Sequence, residues 1–350
     1  MIPAAWWRPL PEDKVECELC PVGCTLKPGA TGPCGTRMNH EGEMRPLHYG
    51  ELVSAGLDPI EKKPLYHFHP GREILSVAAP GCNLHCMFCQ NHSISQNREL
   101  VTTSAAPEEV VQEALEKNSV GIAFTYSEPL VWFEFVRDTA RLAREAGLKN
   151  VLVTSGFLNS EPLAELIPLI DAANVDLKAM DEEFYRRICR GSLQPVLRAI
   201  ESFHAAGVHL ELTNLLIPGH NDADAQVDRL VDFIADLDPN IPLHLSGYFP
   251  AWKMDAPPTP RATLERAFNR AGARLPWVYL GNSPSEFGRD TWCSGCGERV
   301  IRRTGFQTTV RLKEDGRCSR CDRPLPIVRP ETSIRRAPSS HPHDWPSPRL

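Results

Sequence analysis

The sequence has no long apolar run, no excess of basic residues and no legible export signal. Its 350 residues carry a formal net charge of -6, whereas each phosphate of a nucleic-acid backbone needs its own Lys or Arg. We therefore expect no obligate nucleic-acid partner. No stretch reaches the roughly 18 apolar residues of a membrane-spanning helix. The first residues, MIPAAWWRPLPEDKVEC, lack a basic start followed by an apolar segment, so we expect no secretory signal and a cytoplasmic location.

Cysteine, in contrast, is abundant, with twelve residues in the chain. Thiols stay reduced in the cytoplasm, so this number favours metal ligation over disulfides. Eleven of the cysteines fall into three groups, which are Cys17, Cys20, Cys24 and Cys34; Cys82, Cys86 and Cys89; and Cys293, Cys296, Cys318 and Cys321. The twelfth, Cys189, stands alone, and we expect a small buried apolar residue there.

The pattern of apolar residues predicts an α/β fold. Between about residues 72 and 282, β-branched segments alternate with segments of helical period, which is typical of βα units around a parallel sheet. The strand candidates are residues 72–78, 120–126, 150–155, 173–179, 209–217, 241–248 and 277–282. Helices are predicted at residues 107–118, 132–146 and 194–206, the last two ending before a glycine. Right-handed crossovers would curl such units into a full or partial barrel, and an open doubly wound sheet is the alternative.

Composition further divides the chain into four regions. We predict a Cys-rich N-terminal extension at residues 1–60, the parallel-strand body at 61–289 and a four-cysteine module at 290–325. The remaining residues, 326–350, are rich in Pro, Ser and Arg without an apolar period, and are expected to be disordered.

The second cysteine group follows directly on the first strand of the predicted body. Cys82, Cys86 and Cys89 supply one thiolate fewer than the four ligands that zinc and iron-sulfur sites usually take from protein. A 4Fe-4S cluster bound by these three would keep one iron open for a small molecule. The alternatives are a zinc site completed by His85 or His92, or a redox-active cysteine pair.

The other two groups predict further metal sites. The segments CSGC, at residues 293–296, and CSRC, at 318–321, are two CxxC pairs separated by 21 residues. Four such thiolates give a closed tetrahedral site, which indicates structural zinc, with rubredoxin-like iron or an iron-sulfur cluster as alternatives. For the first group, at residues 17–34, zinc and an auxiliary iron-sulfur cluster that relays electrons are equally compatible.

The loop CNLHCMFC, at residues 82–89, resembles the cluster-binding loop of the radical S-adenosylmethionine (SAM) superfamily in its cysteine spacing and in Phe88. The resemblance implies a partial (β/α)6 TIM-like barrel and a 4Fe-4S cluster whose open iron is chelated by SAM. It implies reductive cleavage of SAM to a 5'-deoxyadenosyl radical that abstracts a hydrogen atom. An electron donor such as a flavodoxin or ferredoxin is implied as well.

Four later segments resemble the SAM-binding strand ends of this superfamily. TYSEP (125–129) is similar to the segment that holds the SAM amino group, with Tyr126 and Ser127 in place of two glycines, and VTSG (153–156) to one that contacts ribose or carboxylate. DLK (176–178) is similar to a SAM-contacting strand of pyruvate formate-lyase activating enzymes, and LLIPGHND (215–222) to the adenine-side strand. The contacts that this resemblance implies are made by Tyr126, Ser127, Glu128, Thr154, Ser155, Asp176, Lys178, Asn214 and Ile217.

Some of these residues also have purely structural interpretations. Asp176 and Lys178 lie two apart on a predicted strand and share a face, so a structural salt bridge is the alternative. Glu128 could be an acid at a helix N-terminus. His67 and His69 alternate along an extended stretch, and we interpret them as solvent-facing residues in preference to metal ligands.

Over about residues 17–321 the chain is most similar to the radical SAM member of the AmmeMemoRadiSam system, through segments such as CELCPVGC, CNLHCMFCQN, TYSEP, IPGHND and VYLGN. This resemblance implies Memo-like and AMMECR1-like partners and a small-molecule or protein substrate. Gly247 and Phe249 depart from the family pattern, in which these positions are usually Arg and His. If the Arg and His side chains contact the substrate in the family, the departure predicts a different substrate for this chain. The alternative functions are a glycyl-radical-enzyme activase and a non-enzymatic zinc-binding interaction module.

Overall fold

The fold is that of a computed structural model, which describes residues 2–97, 99–283 and 286–329. Of the tail that the sequence predicts to be disordered, residues 330–350 lie outside this part of the chain. Within it, no helix combines the length and the apolar character needed to cross a bilayer.

The N-terminal extension consists of short antiparallel strands. The first three strands form one small sheet, the next two form a hairpin, and the seventh joins the edge of the main sheet. These strands are β1 (Trp7–Leu10), β2 (Lys14–Cys17), β3 (Thr25–Leu26), β4 (Arg37–His40), β5 (Glu43–Pro46), β6 (Glu51–Leu52) and β7 (Ser54–Pro59).

The main sheet has eight strands, seven of which are parallel, and all seven strands predicted from the sequence are found in it. The strands that follow β7 are β8 (Glu73–Ala78), β9 (Thr103–Ser104), β10 (Gly121–Phe124), β11 (Lys149–Thr154), β12 (Ala172–Asp176), β13 (His209–Leu216), β14 (Leu243–Gly247) and β15 (Val278–Gly281). The order in the sheet is β7-β8-β10-β11-β12-β13-β14-β15, and β9 pairs with β6 instead.

Helices occupy the connections between the parallel strands. The helices are α1 (His92–Ser95), α2 (Pro107–Glu116), α3 (Phe133–Glu145), α4 (Ser160–Leu166), α5 (Glu182–Phe184), α6 (Leu193–Ala205), α7 (Asp224–Leu237) and α8 (Arg261–Gly272). The helices α3 and α6 end as the sequence predicts, since Gly147 and Gly207 follow them with φ of 80° and 73°, values that glycine adopts without strain.

The strand order decides between the two predicted architectures. In a doubly wound sheet the order reverses once, so that helices cover both faces. Here the parallel strands pair in the order in which they occur in the chain, and right-handed crossovers then put the connecting helices on one side. The edge strands β7 and β15 are not paired with each other in the described structure, so the barrel is partial.

The four-cysteine module near the C-terminus has a small sheet of its own. It contains β16 (Thr291–Trp292), β17 (Arg299–Thr304) and β18 (Gln307–Val310), all antiparallel. Val300, Ile301 and Ile327 pack there around Cys293 and Cys318. This apolar cluster is separate from the large core of the parallel sheet.

The pairing of β10 with β11 requires a glycine at position 121. In this register Gly121 lies opposite Lys149, and a Cβ on Gly121 would overlap the Lys149 carbonyl oxygen. We predict that G121A lowers the free energy of unfolding by about 3 kcal/mol, because strand backbones would have to separate. Guanidinium denaturation of the purified variant measures this.

The control for that prediction is G272A. Gly272 is the last residue of α8, and a Cβ there would meet no atom within 4 Å. Alanine in a helix is favoured over glycine by up to about 1 kcal/mol, so G272A should be neutral or stabilising. Equal denaturation midpoints for the two variants would contradict the close approach at Gly121.

Candidate functional site

A cavity of about 630 Å³ opens at the carboxyl ends of the parallel strands. Its volume lies within the range of roughly 300–1,000 Å³ that small-molecule and cofactor sites occupy. The three cysteines of the loop at residues 82–89 line it, as do seven of the nine SAM contacts implied by the sequence. The other two, Asn214 and Ile217, lie outside it.

The cysteine loop is held in place through its backbone. The amide of His85 donates to the Cys189 carbonyl at 2.8 Å, and the amide of Met87 donates to the Ile188 carbonyl at 2.9 Å. Two backbone hydrogen bonds therefore attach the loop to the end of the helical segment Tyr185–Cys189. The thiols remain directed into the cavity.

The thiols themselves accept or share further hydrogen bonds. The Leu84 amide donates to the Cys82 sulfur at 3.4 Å, and the Cys89 sulfur lies 3.3 Å from the Ser95 hydroxyl. Burial raises the pKa of the Cys82 and Cys89 thiols, so a bound cation is needed to hold them as thiolates at neutral pH.

The donor set fits a 4Fe-4S cluster with one open iron better than it fits zinc. His85 is hydrogen bonded through Nδ1 to Gln96, and His92 stacks on Trp252 with ring centroids 5.9 Å apart. Neither histidine lines the cavity. The three cysteines thus line the cavity with neither of these histidines beside them to complete a closed zinc site.

Cys189 is fully buried, as the sequence predicts for an apolar position, yet it is not isolated. Its thiol lies near the Cys86 thiol, and this proximity lowers the pKa of Cys86 while burial raises the pKa of Cys189. The contact could not be predicted from local sequence patterns, because residues 86 and 189 are far apart in the chain.

Tyr126 has an unusual backbone conformation that its side chain compensates. Its φ is 68°, a left-handed value that costs a non-glycine residue about 1–2 kcal/mol. The phenol donates a hydrogen bond to Asp58, and the Lys63 ammonium lies 3.2 Å from the phenol oxygen and 4.2 Å from the ring centroid. These contacts anchor the ring. The backbone carbonyl of Tyr126 accepts a hydrogen bond from the side-chain amide of Asn91 at 2.8 Å. The left-handed turn explains why a glycine suits this position.

Glu128 joins the ends of two neighbouring strands. One carboxylate oxygen accepts from the Thr154 hydroxyl and the Leu130 amide, and the other accepts from the amide and hydroxyl of Ser155, at distances of 2.5 to 3.1 Å. Burial raises its pKa, although these four donors act in the opposite direction. The Leu130 contact caps a 3-10 turn, in accord with the helix N-terminal interpretation.

Asp176 and Lys178 form an ion pair, with 2.7 Å between Nζ and the carboxylate. Both side chains line the cavity, and the Asp176 side chain is 36% exposed. Burial by itself would lower the pKa of Lys178, but the facing carboxylate and the nearby Cys86 raise it, so the lysine is charged. The pair is a salt bridge and a part of the cavity wall at once.

Asn214 and Ile217 belong to the supporting structure around the cavity. The Asn214 side-chain amide donates to the carbonyls of Leu177 and Lys178, at 2.7 and 3.2 Å, and Ile217 is fully buried. Successive residues of a strand point to opposite faces, so the neighbours Thr213 and Leu215 line the cavity in their place.

The sequence interpretation missed several polar residues deeper in the cavity. Asn174, His244 and Ser246 line it from β12 and β14, and Arg289 lines it from beyond β15. Asn174 lies two residues before the predicted Asp176, so strand alternation was a usable signal for it. Arg289 lies in a connection and carries no such signal.

Gly247 and Phe249 do not line the cavity. A Cβ on Gly247 would lie 3.0 Å from the Asn282 carbonyl oxygen, and Phe249 is 49% exposed on the surface. The departure from the family pattern therefore does not change the cavity wall directly.

The four C-terminal cysteines form a compact set. Among the residues that the structure describes, these four cysteines are the group of three or more potential metal ligands whose ligand atoms all lie within 4.8 Å of one another. The Cys293 and Cys321 sulfurs are 3.6 Å apart, and those of Cys296 and Cys318 are 3.7 Å apart. A tetrahedral zinc ion with sulfur bonds of about 2.3 Å separates its sulfurs by about 3.8 Å, so the set has the dimensions of a single-ion site.

Comparisons with known proteins agree with this geometry. Residues 76–233 match the radical SAM superfamily. The chain is 40% identical over 332 residues to the protein MJ0808 of Methanocaldococcus jannaschii, covering 93% of this chain and 99% of that protein. It is 26% identical over 163 residues to pyruvate formate-lyase 1-activating enzyme of Escherichia coli, covering 45% of this chain and 66% of that enzyme.

Among solved structures, a radical SAM methyltransferase from Sphaerobacter thermophilus superposes with a TM-score of 0.49 at 18% identity, over 62% of this chain and 68% of that one. The match to residues 76–233 spans the cysteine loop and the strand ends from β8 to β13, while β14 and β15, which also line the cavity, lie beyond it. The chain carries a radical SAM superfamily domain at residues 76–233 and is homologous to pyruvate formate-lyase activating enzymes.

Proposed function

We propose that this protein cleaves SAM reductively at the cavity and uses the resulting 5'-deoxyadenosyl radical to abstract a hydrogen atom from a substrate. The observation that carries the proposal is the convergence of the Cys82, Cys86 and Cys89 thiols on one cavity, beside polar strand ends and without a fourth protein ligand. When bound, a 4Fe-4S cluster on these thiols would supply the electron for the cleavage.

The chain's own residues hold the reactants in this proposal. Cys82, Cys86 and Cys89 would hold the cluster through their three thiolates. The hydrogen bonds from the Leu84 amide and the Ser95 hydroxyl to two of these sulfurs stabilise their thiolate form.

SAM occupies the cavity between the cysteine loop and the strand ends. The Tyr126 carbonyl has a second lone pair for the SAM ammonium, and Ser127, Thr154 and Ser155 offer polar groups to its ammonium, carboxylate and ribose. Glu128 orients Thr154 and Ser155 through the hydrogen bonds described above. Asp176 and Lys178 present a carboxylate and an ammonium at the mouth of the cavity, and Asn214 and Ile217 support this wall from behind.

The other metal sites and the partners belong to the same proposal. Zinc at Cys293, Cys296, Cys318 and Cys321 stabilises a module too small to fold by apolar burial alone. We further propose the AmmeMemoRadiSam type for this enzyme, with Memo-like and AMMECR1-like partners, a flavodoxin or ferredoxin as electron donor, and a cytoplasmic location where thiols stay reduced. Its substrate is a small molecule or a protein side chain.

The similarity to pyruvate formate-lyase 1-activating enzyme supports a second candidate. As a glycyl-radical-enzyme activase, the protein would place the radical on a glycine of a partner protein. An EPR doublet of a glycyl radical in a candidate partner, dependent on this chain and SAM, distinguishes the two functions. The match covers 45% of this chain, so more than half of the chain has no counterpart in this similarity.

Removal of the three loop thiols tests the principal function. We predict that C82A/C86A/C89A abolishes formation of 5'-deoxyadenosine from SAM and dithionite, because no ligand remains for the cluster. The product is measured by liquid chromatography under anaerobic conditions. The control C293S/C296S should lose zinc and retain the iron of the loop site.

Normal cleavage by the triple variant would exclude the loop as the cluster site. About two zinc ions per chain and no iron in the anaerobically purified wild type would favour the non-enzymatic zinc module.

Replacing the Asp176 carboxylate by an uncharged amide of the same shape separates a SAM-binding role from a structural salt bridge. We predict that D176N raises the KM for SAM about tenfold, equivalent to about 1.4 kcal/mol. The denaturation midpoint should barely change, since partly exposed ion pairs contribute at most about 1 kcal/mol.

The matched control is D171N. Asp171 pairs with Lys149 at 3.3 Å and precedes β12, at the end of the strand away from the cavity. D171N should leave the KM for SAM unchanged. If D176N lowers the midpoint and leaves the KM as it was, the pair is structural only.

A further inference from the structure

The four N-terminal cysteines enclose a small cavity of their own. Cys17, Cys20, Cys24 and Cys34 all line it, together with apolar residues such as Leu19 and Leu26. Cys17 and Cys20 are each 7% exposed. Four thiols from β2, the following loop and the turn before β4 thus face one enclosed space.

Their spacing differs from that of the C-terminal four. Among the described residues, the C-terminal cysteines have sulfurs all within 4.8 Å of one another, and the N-terminal cysteines do not form such a set. The loop thiols at Cys82, Cys86 and Cys89 do not form one either. A single zinc ion gathers its sulfurs to about 3.8 Å, whereas a 4Fe-4S cluster holds each cysteine on a different iron and keeps the sulfurs farther apart.

A buried arginine at this cavity lacks a partner for one of its donors. Arg37 is 1% exposed, and its Nε has no hydrogen-bond partner. One Nη lies 3.6 Å from the Cys17 sulfur, and the other pairs with Glu134. The sulfides of an iron-sulfur cluster accept hydrogen bonds of this kind, and such bonds tune its potential.

The N-terminal cavity adjoins the loop that lines the SAM cavity. The Cys82 amide donates to the Cys34 carbonyl at 3.2 Å. The backbones approach so closely that a Cβ on Gly81, whose φ is 98°, would lie 2.5 Å from that carbonyl oxygen. Asn83, the next residue of the loop, lines the N-terminal cavity. Residues 82 and 83 therefore face the two cavities from one stretch of backbone.

We propose that Cys17, Cys20, Cys24 and Cys34 bind a second 4Fe-4S cluster, which passes single electrons to the cluster at Cys82, Cys86 and Cys89. The relay part rests on the proposed function of the loop. A low-potential one-electron donor protein of the flavodoxin or ferredoxin class is oxidised by one electron as the N-terminal cluster is reduced. That cluster returns to its oxidised state as the loop cluster is reduced, and no bond or proton changes place.

The iron content of the triple variant C82A/C86A/C89A tests the site. Purified anaerobically as the full chain, it should retain about four irons and four sulfides, and one zinc. Reduction with dithionite should give an EPR signal that SAM does not alter. Absence of iron together with a second zinc would overturn the proposal.

The complementary variant is C20S/C24S. It should lose about half of the wild-type iron and keep the EPR signal that SAM alters, whereas C293S/C296S should lose zinc and no iron. With reduced flavodoxin as donor, the rate of SAM cleavage by C20S/C24S should fall at least tenfold, and with dithionite it should stay near that of wild type. Equal rates with flavodoxin would overturn the relay.

These outcomes separate the two proposals. If the wild type shows no SAM-dependent EPR change but the triple variant holds iron, the function of the loop fails and the N-terminal cluster stands. If C20S/C24S does not fold, as judged by circular dichroism, the metal content of the triple variant still decides the site. The single variant R37K then reports on the cluster, since loss of the Nε donor should shift the EPR signal or the midpoint potential of the N-terminal cluster and not those of the loop cluster.

Discussion

The buried carboxylate of Glu128 is the contact on which the geometry of the cavity depends. Through Thr154 and Ser155 it fixes the end of β11, and its own amide donates to the Gly81 carbonyl at 3.3 Å, so the cysteine loop after β8 is joined to it as well. Three neighbouring strand ends are thereby held by one residue. Because the carboxylate is desolvated, loss of any one donor would leave a buried charge without full compensation. The site is consequently rigid before any ligand binds.

A second buried carboxylate organises the interior below the cavity and ties the C-terminal module to it. Glu211 accepts from the amides of Tyr66 and His67, at 3.0 and 2.7 Å. His209 and His244 also contact its carboxylate, at 3.0 and 2.7 Å, and these two histidines hold its pKa well below the ordinary value against the effect of burial. Arg303 of β17 donates to the Tyr66 carbonyl and lies 4.0 Å from the centre of its ring. The four-cysteine module therefore contributes a buried cation to the interior below the cavity.

Local sequence patterns were sufficient for the strands, the helix ends and the cysteine loop, because each depends on the period or spacing of neighbouring residues. The contacts that cross the chain were not predictable in this way. His67, interpreted from its alternation as solvent-facing, is fully buried, and burial lowers its pKa to about 3, so it is a neutral partner of the Tyr279 hydroxyl. The left-handed Tyr126 was recognised as a replaced glycine, but its compensation by Asp58, 68 residues earlier, required the fold. The resemblance implies a SAM contact for Asn214, but strand alternation places its side chain on the face opposite to Thr213 and Leu215, which line the cavity.

The same alternation bears on substrate selection. An arginine at position 247 would start from a Cβ only 3.0 Å from the Asn282 carbonyl oxygen, on the side of β14 opposite to Ser246. Glycine at this position therefore lets β14 and the end of β15 approach closely. Its lack of a side chain takes no polar group away from the cavity wall seen in this structure. Among the polar residues of the wall, Ser246, Asn282 and Arg289 line it from β14 and from beyond β15. Since the Arg289 guanidinium donates to the Ser283 carbonyl at 2.8 Å, it is held at the cavity by a neutral acceptor and keeps its charge for an anionic group. The chemistry of the substrate is thus to be sought beyond β15, where the barrel meets the four-cysteine module.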